Sequence, residues 1–125
     1  MNTLFEDKYM KVAEDKDILS LIWKDETKNL SDEIFKVEAL KFEETLRSNL
    51  RSNILVDMRD FNYQLSPELI AWRKENIIST YNELKVKKFA FITEKPAVNQ
   101  DDPSNTFITR AFVSVDESVR WLNDK

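Results

Sequence analysis

The chain has 125 residues, 42% of them hydrophobic, enough for one domain with a single core that needs neither a disulfide nor a structural metal. Nineteen Lys and Arg against 23 Asp and Glu give a formal charge of -4, and such a surface lacks the clustered cations that track a phosphate backbone, so nucleic acid is not an expected partner. The composition includes no Cys, no His and no Gly, which excludes thiolate chemistry, Ser-His-Asp triads, His-based zinc sites and every glycine-dependent phosphate or nucleophile turn.

The amino terminus, Met1 to Asp7, has neither the basic flank nor the apolar run of a secretory signal, and no later stretch approaches the ~18 uninterrupted apolar residues of a membrane span. A cytoplasmic protein is the expectation. Met10 to Val12 and Ile18 to Trp23 flank the polar run Glu14 to Asp17 and predict a hairpin. Ser31 is placed to cap a helix in which Phe35, Ala39, Phe42, Leu46 and Leu50 recur with helical spacing as one buried stripe. Asn53 to Met58 is a nearly continuous apolar run, the pattern of a strand covered on both faces.

After the segment Asp60 to Leu65, Ser66-Pro67 opens a second helix, with a hydroxyl at the N-cap and Pro at the first helical position. Its expected inner face carries Ile70, Ile77, Tyr81 and Leu84, with Ile78 at the edge and Trp72 off that face. Lys88 to Thr93 predicts another buried strand. A polar loop, Glu94 to Asn105, leads to a last strand over Ile108 to Val113. Ser114 and Glu117 form a capping box for a final helix ending near Asn123. The order β-β-α-β-α-β-β-α predicts a single α/β domain, core about 9 to 123, whose five-stranded sheet is mostly parallel with an antiparallel first strand and flanking helices.

Ile54 to Asp60, Ser66-Pro67-Glu68, Trp72, Lys88 to Ile92 and Phe112 to Leu122, in that order and spacing, resemble the SpoIIAA-like branch of the STAS domains, from about Tyr9 onward. The resemblance implies sequential strands with helices packed around them, and regulatory action through protein contacts. In the best-understood members a Ser at the start of the second helix is phosphorylated within Asp-Ser-Ser-Gly. Here the matching stretch is Leu65-Ser66-Pro67-Glu68, which keeps a single Ser, so the resemblance does not carry the phosphoswitch with it.

Several residues are candidates for contact with a ligand or partner. Asp57, Arg59 and Asp60 lie at the carboxyl end of the third strand, where open α/β sheets place ligands, and the alternative is that they pair with one another. Ser66 is a helix cap or a phosphosite; on the capping reading Ser66→Asp is expected to be nearly silent. Trp72 with Phe61 and Tyr63 either packs the loop or walls an apolar pocket gated by Glu94 to Asn105. Ile34, Val37 and Leu40 form a second apolar row on the first helix, a candidate homodimer or partner contact unless Leu4 and Phe5 cover it. Asp101-Asp102 and Glu14 to Asp17 lack the spacing of a cation loop. The expected function is a noncatalytic binding module without metal or cofactor, acting on an unidentified protein partner or, alternatively, on a small apolar, lipid-like ligand.

Overall fold

The computed structural model describes residues 1–99 and 101–124. Its strands are β1 (Asn2–Glu6), β2 (Met10–Asp15), β3 (Ile18–Trp23), β4 (Asn53–Asp57), β5 (Lys88–Ile92) and β6 (Ile108–Phe112), hydrogen-bonded in sequence order. β1, β2 and β3 run antiparallel, whereas β3 through β6 are parallel. The α/β class therefore stands, with six strands instead of five. The extra strand, β1, escaped the pattern because its pairing with β2 shifts register between Thr3 and Phe5, which breaks the period-two signal, and because it is a largely exposed edge.

Between the strands lie a 3-10 turn (Asp25–Asn29), α1 (Asp32–Ser48), α2 (Pro67–Arg73), a π-helical segment (Lys74–Ile78) and α3 (Ser79–Glu83), and α4 (Val115–Asn123) follows β6. Three helix starts follow from capping: the hydroxyls of Ser31, Ser66 and Ser114 accept the backbone N–H of Ile34, Leu69 and Glu117. α1 stops at Ser48, so Leu50, expected on its buried stripe, is outside the helix and exposed. In a chain without Gly, the left-handed positions fall to Lys16 (φ 55°) in the β2–β3 turn and Lys85 (φ 59°) just after α3, each at a cost of about 1 kcal/mol.

α2, the π segment and α3 form one continuous helix. Bonding i→i+5 inserts about one residue per turn, which rotates the flanking faces by roughly 100°. Leu69 is thereby brought into line with Ile77 and Tyr81 and is buried, whereas Ile70, expected on that face, is turned out and is 55% exposed.

Strand alternation sends Leu19, Leu21, Trp23, Ile54, Val56 and Phe89 to one face, where α1 and the second helix cover them. The other face carries Ile18, Leu55, Ala90 and Ile92 beneath α4. α4 is held by its carboxyl end: Asn53 Nδ2 donates to the Leu122 carbonyl at 2.8 Å, and Lys88 Nζ to that of Trp121 at 2.8 Å. These bonds satisfy carbonyls that a helix terminus leaves without partners.

The connections β3–β4 and β4–β5 each carry a helix. The β5–β6 connection is a loop, and it lies on the α1 face, since Asp102, Asn105 and Phe107 border the same hollow as Phe35 and Phe42 of α1. That loop also clips the outer edge of the sheet. Asp101 Oδ1 accepts the N–H of Thr109, and Asn99 Oδ1 that of Ala111, both at 2.9 Å.

Candidate functional site

With only a loop where a third crossover helix would lie, the α1 face is incompletely filled. The space left is an apolar cavity of about 580 Å³ between the sheet, α1 and the second helix. Its floor is Leu21 and Trp23 of β3, Val56 of β4 and Phe89 and Phe91 of β5, with Met58 just beyond β4. Its roof is Phe35, Ala39 and Phe42 of α1 with Ile77, Ile78 and Tyr81. Ile70, turned outward by the π segment, stands at the mouth as an exposed isoleucine that still borders the cavity.

Two aromatic clusters close the ends. Near the carboxyl ends of β3 and β4, Trp23 stacks on Phe35 with centroids 5.9 Å apart and meets Phe61 at 5.0 Å. At the other end Tyr81 is set against Phe42, Phe89 and Phe107 at 6.0 to 6.4 Å. Such pairs are rigid walls, each worth about 0.5–1.5 kcal/mol beyond their area burial.

Polar lining is sparse: Arg73, Lys74, Asp102, Asn105 and Thr109. The guanidinium of Arg73 lies 6.0 Å from the centre of the Phe89 ring. Tyr81 is 2% exposed, and burial pushes its hydroxyl up to about 12, opposed by the nearby charge of Arg73 and reinforced by Glu43. Asp102 is held below its ordinary value by its bonds from the Ser104 backbone and hydroxyl and by the charge of Lys74.

The residues expected to make the site are divided by the structure. Phe61 lines the cavity, as does Leu65, and the loop expected to gate it supplies Asp102 and Asn105; Gln100 of that loop lies outside the described residues. Trp72 and Tyr63 are not in the wall. Trp72 packs at the edge of the core with Lys36 Nζ 5.6 Å from its ring, and the Tyr63 hydroxyl donates to Asp32 Oδ1, which raises the phenol's pKa.

Asp57 and Arg59 are spent on each other. Nε and Nη2 of Arg59 donate to the two carboxylate oxygens at 3.0 and 2.7 Å, and the Arg59 N–H adds a third bond at 3.1 Å. Asp60 is exposed, and its carbonyl accepts from Thr27 Oγ1. Of the second row on α1, Ile34 is half-buried against the core, leaving Val37 and Leu40 exposed; Leu4 and Phe5 pack into the core and do not cover that pair.

Ser66 is the cap of α2, with Pro67 behind it, and its hydroxyl also lies 3.4 Å from Asp32 Oδ2. That neighbour corrects the expectation for Ser66→Asp. The new carboxylate would cap the helix but face Asp32, so we expect Ser66→Asp to be less stable than Ser66→Asn by about 0.5–1 kcal/mol at low ionic strength. High salt should remove the difference in denaturant midpoints. A phosphate here would meet the same repulsion.

Three residues, Thr27, Glu38 and Arg73, take places that the sequence pattern does not predict. Thr27 is fully buried, donating to the Asp60 carbonyl at 3.0 Å and accepting the Asn62 N–H at 2.8 Å, which pins the loop that carries Phe61. Glu38 is 2% exposed beside Asp7. Arg73 lies four residues before Ile77, in the register of the buried stripe. In the last two, a charge at a stripe position was a readable signal.

Among the described residues no cluster of three or more acidic side chains is arranged to hold a metal ion, and no helix is long and apolar enough to cross a membrane. Comparisons with protein-family models, with curated proteins and with solved structures each found no match to this chain.

Proposed function

We propose that the protein binds a small apolar ligand in the cavity between the sheet and its helices. The observation that carries this reading is the cavity itself. Its volume of about 580 Å³ falls inside the ~300–1,000 Å³ range of small-molecule sites, and its walls are mainly aliphatic and aromatic with a few polar groups at one side. A well-packed core of this size has few voids larger than a water molecule. Here a hollow many times larger is bounded by rigid aromatic pairs, an arrangement that gains nothing for stability and suits an occupant.

The protein-contact reading that accompanies the STAS resemblance rests on less. Its surfaces reduce to Val37 and Leu40 on α1, since Ile34 is drawn into the core and Ser66 is occupied by capping.

The test is titration with the neutral fluorophore N-phenylnaphthylamine. Saturable emission at micromolar probe is expected. Ile70→Trp, at an exposed mouth position, should leave the circular dichroism unchanged while weakening the probe about ten-fold, a loss of about 1.4 kcal/mol. A wild-type protein that gives no saturable signal would overturn the proposal.

A further inference from the structure

We infer that the occupant is a single-chain amphiphile with an acidic head, its tail running between the two aromatic clusters and its head lying against Arg73. This rests on the cavity reading and adds to it the chemistry of the ligand.

The arginines of the chain are unevenly paired. Arg47, Arg51, Arg59 and Arg110 are each paired with a carboxylate, and Arg120 is exposed. Arg73 is half-buried in the cavity wall and, among the described residues, has no carboxylate within 4.0 Å and no hydrogen-bond acceptor for its guanidinium. A guanidinium carries five donors and keeps its charge, and apart from the face of the Phe89 ring this one is left free to pair with an acid entering the cavity.

A second group points the same way. Tyr81 lines the cavity with a side chain almost wholly buried, and its hydroxyl has no hydrogen-bond partner among the described residues. It lies near enough to Arg73 to feel that charge. Two donors with no protein acceptor among the described residues therefore border one part of an otherwise apolar space. Asp102, the acid at the rim, is already engaged by Ser104 and faced by Lys74, so it does not neutralise Arg73. The mouth is left net positive. An acid group accepts bidentate bonds from a guanidinium, whereas an alcohol or an amine cannot supply that charge.

The experiment uses the full chain and the displacement of N-phenylnaphthylamine by laurate, dodecanol and dodecylamine, which share one tail. Laurate is expected to displace the probe at about one tenth of the dodecanol concentration or less, as fits one charge-assisted bond pair, with dodecylamine weakest. Arg73→Gln should bring laurate to the level of dodecanol, while Arg73→Lys, which keeps the charge, should retain part of the preference. Equal displacement by laurate and dodecanol would overturn the acidic head and leave the cavity reading intact. Displacement by none of the three would overturn the cavity reading itself.

Discussion

Glu38→Gln should make the protein more stable than the wild type above pH 8, by about 2–4 kcal/mol, and should flatten its pH dependence. Glu38 sits within the apolar stripe of α1 with 2% exposure, and its carboxyl is pushed up to about 8 by burial first, then by the hydrogen bond and the charge of Asp7, with Lys41 opposing. Asp7 moves the other way. Burial raises it, but the bond with Glu38, the N–H groups of Tyr9 and Met10 at 2.9 and 3.0 Å and the charge of Lys41 outweigh that, so it stays ionised at lower pH than usual. The pair thus holds one proton. Between about 4.5 and 8 the folded protein keeps a proton on Glu38 that the unfolded chain has released, so stability must fall as pH rises through this window. Asp7 contributes on the acid side, where stability falls as pH drops below its ordinary range. Denaturant unfolding at steps from about pH 2 to 9 measures both limbs. A wild-type stability that is level from pH 5 to 8.5, or a Gln variant less stable at pH 8.5, would contradict the shared proton.

Thr27→Val is expected to cost about 1–2 kcal/mol although the side chains are nearly the same shape. The hydroxyl of Thr27 is the sole atom replaced in kind, and it is fully buried while serving as donor to Asp60 and acceptor from Asn62. Valine leaves the Asn62 N–H without its acceptor and takes one of two donors from the Asp60 carbonyl, which keeps the bond from Asn62 Nδ2 at 3.1 Å. The loop they belong to carries Phe61, which closes one end of the cavity against Trp23 and Phe35. The same variant should therefore bind N-phenylnaphthylamine more weakly, tying loop anchoring to the pocket. Unchanged unfolding midpoints would show that water replaces the hydroxyl without loss.

What could be read in advance was local. Ser31, Ser66 and Ser114 each announce a helix start because capping involves residues three apart, and Asn53 to Asp57 and Lys88 to Ile92 announce covered strands by composition alone. What escaped was set by register. A bulge hid β1, and one π turn exchanged the roles of Leu69 and Ile70, because each inserts a residue into the period on which such reading depends. The cavity was out of reach for a different reason. The pattern shows that Phe35, Val56, Tyr81 and Phe89 face inward, but whether inward-facing side chains meet depends on how far α1 stands from the sheet, and no periodicity encodes that distance. For the same reason periodicity left open whether Trp72 and Tyr63 pack the loop or wall a pocket; Phe61 and Leu65 from the same stretch of chain border the cavity.

The two clips from the β5–β6 loop have a consequence beyond the shape of the cavity. β6 is an edge strand that begins at exposed Ile108 and is followed by exposed Val113, and the N–H groups of Thr109 and Ala111 are occupied by Asp101 and Asn99 of its own chain. If those side chains let go, the strand becomes a bare template on which a second copy can lay its own backbone, and a third upon that. One side-chain amide oxygen and one carboxylate oxygen thus blunt this edge of the sheet, and a change at either position is expected to be felt first as aggregation, before any loss of fold.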